Sequence, residues 1–108
     1  MKLWIDDLRE PPKGYMWVKS VNQAIDLIER TEAYNRNIFQ PYYVYDPITV
    51  IDIDHDAGNY FSDGGDYINV LDWLEETNRN YPIHIHSQNP VGVEKMRRII
   101  KRNNWKEI

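Results

Sequence analysis

Cysteine is absent from the 108 residues, which excludes a disulfide framework and any thiolate metal site. A reducing, cytoplasmic setting is the expected one. Long apolar runs are missing too: none approaches the roughly 18–20 residues that span a bilayer, so no membrane partner is expected. The opening MKLWIDDLRE is interrupted by acids at once, unlike a secretory leader. A broad basic surface is also lacking. With a formal net charge of −4, no extended nucleic-acid surface is expected.

The remaining composition, 42% hydrophobic and 28% charged, is that of an ordinary globular chain. Its length suits a single domain over residues 1–108. Charge is unevenly spread. Lys95, Arg97, Arg98, Lys101, Arg102 and Lys106 supply 6 of the 13 cationic residues. They form either the solvated face of a C-terminal helix or a local contact to phosphates.

Met1–Ile5 is short, apolar and stopped by Asp6-Asp7, as a buried strand would be. Two prolines and a glycine in Arg9–Gly14 demand a loop. Ser20 with Gln23 matches a capping box, and Val21, Ala24, Ile25 and Ile28 predict a helix to about Arg30. Tyr42–Tyr45, between Pro41 and Pro47, suits an edge strand or an ordered loop. Ile48–Ile53 is apolar almost throughout, as in a parallel strand covered on both sides. A glycine-rich loop leads to a helix over about Asp66–Glu76. Pro82–Ser87 forms a third strand, and Asn89-Pro90 opens the last helix as N-cap and N1. Trp105–Ile108 offers a short closing strand. Strand and helix alternate as in an α/β fold: a single small open parallel sheet with helices on both faces.

Ligands of such sheets bind beyond the carboxyl ends of the strands. Here Asp6-Asp7 end the first strand, Asp54-His55-Asp56 the second and His86-Ser87 the third, while the helix from Asn89 turns free N–H groups to the same rim. Period-two alternation sends Asp52, Asp54 and Asp56 one way and His55 the other, if the strand stays regular. Asp52 and His84 lie deeper and read as support. So many carboxylates together repel one another. A hard divalent cation, Mg²⁺ or Mn²⁺, held by a subset of Asp6, Asp7, Asp54 and Asp56 would relieve that repulsion. A purely structural alternative pairs Asp6 or Asp7 with Arg9 and lets Asp56 cap the loop at Gly58.

These residues resemble a response-regulator receiver domain, a flavodoxin-like fold, with Asp6 and Asp7 as its acidic pair, Asp54 at the phosphoacceptor position and Ser87 at the hydroxyl position. No lysine follows a further strand, as receivers require. A closer resemblance is to the cyclic-phosphate-processing receiver-like family. It rests on Leu3-Trp4-Ile5-Asp6-Asp7-Leu8-Arg9, Asp54-His55-Asp56-Ala57-Gly58, Gly65-Asp66-Tyr67, and His86-Ser87-Gln88-Asn89-Pro90-Val91-Gly92 with Met96. Ala57 stands where a leucine is usual.

That resemblance implies a shortened receiver-like domain that binds or hydrolyses a cyclic phosphate on a small molecule or an RNA end. His55 and His86 would be the acid–base pair, with Asp54 beside them as a catalytic group and Asp6, Asp7 and Asp54 about a metal. Ser87, Asn89 and the N–H groups at Val91 and Gly92 would hold the phosphate, with Arg9 neutralising charge. The alternatives are a degenerate receiver serving regulation or a protein partner, and an interaction domain whose carboxylates serve stability alone.

Overall fold

A computed structural model describes residues 1–35 and 46–108; the expected Tyr42–Tyr45 element lies outside them. Four strands, β1 (Lys2–Ile5), β2 (Tyr15–Val18), β3 (Val50–Ile53) and β4 (Ile83–Ile85), form one parallel sheet in the order β2-β1-β3-β4. Three helices accompany it: α1 (Val21–Asn35), α2 (Ile68–Glu76) and α3 (Pro90–Arg102). This is the expected open α/β sheet of a shortened receiver-like fold. The strand β2, which the sequence leaves unassigned between a proline-rich loop and a capping box, forms the outer edge beside β1.

Alternation along the strands decides what is buried where. Leu3, Ile5, Val18, Ile51, Ile53 and Ile83 share one hydrophobic cluster with Ala24 and Ile28 of α1, Val70, Leu71 and Leu74 of α2, and Met96, Ile99 and Ile100 of α3. Trp4, Val50 and Asp52 are also buried but fall on the opposite parity and outside that cluster. The links β2–α1–β3 and β3–α2–β4 cross the sheet in the same direction, so right-handed crossovers put both helices on one face. α3 packs along α2. Helical cover is therefore one-sided among the described residues, not two-sided as expected. The reason is the β1–β2 link: residues 6–14 make this parallel connection without a helix.

Side chains of the strands hold that loop in place. Asp6 Oδ1 accepts the backbone N–H groups of Leu8 and Arg9, each at 2.9 Å. Trp17 Nε1 donates to the Asp6 carbonyl at 2.7 Å, and Trp4 Nε1 to the Arg9 carbonyl at 2.8 Å. Aspartate turning back on its own backbone is a common device in tight turns.

The Ser20 cap is as expected, with Ser20 Oγ accepting Gln23 N–H at 3.0 Å. The reciprocal bond falls one residue earlier, from Lys19 N–H to Gln23 Oε1 at 2.9 Å. Ser20 Oγ also donates to Asp63 Oδ2 at 2.5 Å, which ties the start of α1 to the β3–α2 loop. α1 runs past Arg30, and α2 begins at Ile68 because Asp66 turns away to accept the Ala57 N–H at 3.1 Å. Asn89 caps α3 as expected, accepting Gly92 N–H at 3.0 Å. The closing strand shrinks to one parallel bridge between Glu107 and Ile83.

Tyr67 joins two of these segments. Its ring is fully buried, its hydroxyl donates to the Lys19 carbonyl at 2.7 Å and its N–H to the His55 carbonyl at 2.9 Å. Tyr67→Phe keeps the ring and strands the Lys19 carbonyl. We expect a loss of about 1–2 kcal/mol, read as a lower midpoint of chemical unfolding with an unchanged slope.

Candidate active site at the carboxyl rim

β1 and β3 are neighbours, yet the chain leaves β1 towards one edge of the sheet and β3 towards the other. Such a switch point opens a crevice at the carboxyl ends of the strands. Asp6 and Asp54 stand at its two sides. Ligating atoms of Asp6, Asp54 and His86 lie within 4.8 Å of one another, so the three strand ends do converge.

Beneath them runs a chain of charged contacts on the sheet face that lacks helices. Trp4, Asp52 and His84 lie side by side across β1, β3 and β4. Asp52 Oδ1 meets His84 Nδ1 at 2.9 Å and His86 Nδ1 at 2.5 Å. The other nitrogen of His86, Nε2, meets Asp6 Oδ2 at 2.9 Å. Each ring nitrogen of His86 is thus held by a carboxylate. Its ring stacks on the indole of Trp4, with centroids 3.9 Å apart and planes 6° apart. The His86 side chain is 7% exposed and that of Asp6 2%, so the arrangement is shut off from solvent on most sides.

The carboxylates respond accordingly. Burial pushes Asp52 up, but hydrogen bonds and charge from His86 and His84 outweigh it and hold the group below its ordinary 3.8. Burial likewise opposes ionisation of Asp6. The N–H groups of Arg9 and Leu8, together with His86, bring it below the same value. Asp7 moves the other way. Burial raises it, its own N–H lowers it, and the charges of Asp6, Asp54 and Asp56 add to the rise.

His55 occupies a different niche, on the helix-covered side. Its ring lies on the first turn of α3, where Gly92 leaves room: a methyl group there would come 2.5 Å from His55 Cδ2. Nδ1 of His55 meets Asp56 Oδ1 at 3.1 Å, and Asn89 Nδ2 approaches both at 3.4 Å. Nε2 has no hydrogen-bond partner among the described residues. Asp54 Oδ1 accepts the His55 N–H at 2.7 Å, fixing the backbone between the two niches.

Several expected groupings change. Regular alternation would put Asp56 with Asp54, but β3 ends at Ile53 and Asp56 turns to His55 and Asp66, the second set with ligand spacing. Asp7 joins neither set; its Oδ2 occupies the space beside Gly58, which has φ +56° and no room for a Cβ. Arg9 takes Asp6 through its backbone, not its guanidinium, whose Nη1 reaches the His86 carbonyl at 3.3 Å. Asp66, not Asp56, steadies the loop at Ala57. Ser87 Oγ accepts the Asn89 N–H at 3.1 Å and keeps its own proton to donate. The Gly92 N–H, expected on a phosphate, is used by the Asn89 cap. Trp4 escaped the sequence, though it shares the parity of Asp6 and so had to face the same side.

These features define a shortened receiver-like domain with a carboxylate–histidine rim at the switch point. The model of the cyclic-phosphate processing receiver domain matches residues 1–102, and the chain belongs to that family. Searches of curated proteins and of solved structures gave no match.

Two outcomes follow from this geometry. Alanine favours a helix over glycine by about 1 kcal/mol, yet Gly92→Ala should bring no such gain, because the methyl group evicts the His55 ring. The check is a thermal melt together with a change in the His55 ring signals by NMR. The second concerns acid. Asp6 and Asp52 titrate near 3.8 unfolded and lower when folded, so their contribution is present above that pH and is lost as pH falls through the lower folded values. Asp52→Asn removes the negative charge that faces two histidines and should cost about 3–5 kcal/mol at neutral pH. Acid unfolding followed by circular dichroism would then lose part of its steepness.

Proposed function

We propose that the rim binds a cyclic phosphodiester, such as a 2′,3′-cyclic nucleotide or RNA end, and opens it by hydrolysis. The observation that carries this is the meeting of Asp6, Asp54 and His86 at the switch point, with ligating atoms within 4.8 Å and His55 close by on the α3 N-terminus. In the reaction a water oxygen attacks phosphorus, one ring P–O bond breaks, and the ribose oxygen leaves with a proton. Family membership supports the substrate class.

The two histidines take different parts. Nε2 of His55 is free and at the rim, so His55 is assigned the proton transfer, oriented through Nδ1 by Asp56. His86, with both nitrogens engaged, is the positioning residue that holds Asp6 at the rim. Asp54 orients the attacking water. Ser87 Oγ, the Val91 N–H and Arg9 hold the phosphate oxygens, and the positive end of α3 adds to their pull. A divalent cation held by Asp6 and Asp54 would polarise a phosphoryl oxygen. The donor set fits such an ion, since oxygen ligands suit Mg²⁺ and Mn²⁺, and Asp7, raised first by burial and further by the charges of Asp6, Asp54 and Asp56, carries a repulsion that a cation would ease.

Purified protein should convert 2′,3′-cyclic nucleotides to monophosphates, followed by chromatography with Mg²⁺, with Mn²⁺ and with neither. His55→Ala should lower kcat by about 10²–10⁴ and leave stability nearly unchanged. His86→Ala should instead lose both activity and stability. If no metal condition gives turnover and calorimetry detects no binding, the proposal fails.

A further inference from the structure

Beside the rim, with Ser87 and Gln88 at its upper end, α3 and the outer edge of β4 enclose an open groove of about 590 Å³. Alternate residues of a parallel strand turn their N–H and C=O groups to opposite sides. The Pro82 carbonyl and the His86 N–H reach β3, bonding Ile51 at 2.9 Å and Ile53 at 3.0 Å. Ile83 faces outward: its N–H donates to the Lys106 carbonyl at 2.9 Å, and its carbonyl accepts the Ile108 N–H at 2.8 Å. Ile85, two residues on, turns the same way, and none of the described residues bonds its outward N–H or C=O. A strand ladder is thus started along this edge and left open in the groove.

The groove walls select what could continue it. Ile85 and Val93 give an apolar floor, and Arg97, Arg98 and Lys101 stand along one side. Arg97 pairs with Glu107 at 2.8 Å and Arg98 with Glu94 at 2.6 Å, both exposed contacts that exchange at little cost. Lys101 has no carboxylate partner among the described residues. The local charge is positive on a chain that is acidic as a whole.

We propose that the β4 edge accepts an extended acidic segment of a partner protein as an added strand. Main-chain bonds to Ile85 would supply affinity, and the three cations would select acidic side chains. RNA is the less suited occupant: it has no use for the strand edge, and among the described residues the groove offers no aromatic ring for a base to stack on. The groove shares Ser87 with the rim, but the Ile85 edge and the three cations lie outside it, and the proposal does not rest on the cyclic-phosphate reading.

The test is selection from a random peptide display library against the full chain. Enriched peptides are then titrated into ¹⁵N-labelled protein. Enriched sequences should be acidic and poor in proline, and their binding should slow hydrogen exchange at the Ile85 amide. Arg98→Glu with Lys101→Glu, both at exposed positions, should weaken binding roughly tenfold or more, while the far-ultraviolet circular dichroism of the fold is kept and the melting temperature falls only slightly through the lost Glu94 pair. N-methylation of alternate ligand amides should abolish it. The proposal is overturned if no acidic set is enriched, or if enriched peptides ignore the charge reversal. It is equally overturned if the groove signals answer to single-stranded RNA, or to self-association, instead of peptide.

Discussion

Asp6 is the group on which the rest of the rim depends. One carboxylate oxygen gathers the N–H groups of Leu8 and Arg9, the other holds His86, and its carbonyl takes the indole of Trp17. A loop, a histidine and an edge strand are thereby fixed by one residue that is 2% exposed. Burying a carboxylate is costly unless its lone pairs are satisfied and its charge matched. Both conditions are met here, and no buried side-chain polar atom is left without a partner among the described residues.

The same economy explains why His55 and His86 cannot be equivalent. Parity places them on opposite faces of the sheet, although each follows its strand by one or two residues. On the helix-covered face His55 meets α3, a glycine and one exposed carboxylate. On the other face His86 meets two buried carboxylates and an indole. The first setting leaves a ring nitrogen at the surface; the second leaves none. A group held by two strong contacts is well placed to fix the position of its neighbours and poorly placed to trade protons.

Much of this was legible in the sequence because the signals are local. Apolar runs marked β1, β3 and β4, and Ser20 and Asn89 marked helix starts through their own hydrogen bonds. Convergence of Asp6, Asp54 and His86 followed from the rule for parallel sheets alone. What escaped depends on partners distant in sequence. Tyr15–Val18 is four residues with two tryptophan- or tyrosine-bearing positions, and it becomes a strand only by pairing with β1. Asp56 could be placed only once the end of β3 was known. The bonds of Asp6 to the backbone of its own loop were readable in principle, since aspartate beside a proline-rich turn often acts so. Pairing with a charged Arg9 side chain was the rival, and the loop geometry decides against it.

The helix-free face gives these facts a common cause. Without a helix between β1 and β2, that side of the sheet meets no apolar layer among the described residues. A purely aliphatic face there would be exposed, and a purely charged one would weaken the central strands. Instead Trp17, Trp4, Asp52 and His84 lie in register across four strands, the indoles shielding the ion pairs from the side. Asp52 keeps its charge because His84, half open to solvent, and His86 both meet it. The shortened crossover therefore does more than trim the fold: it converts one face of the sheet into a polar layer whose upper end is the rim.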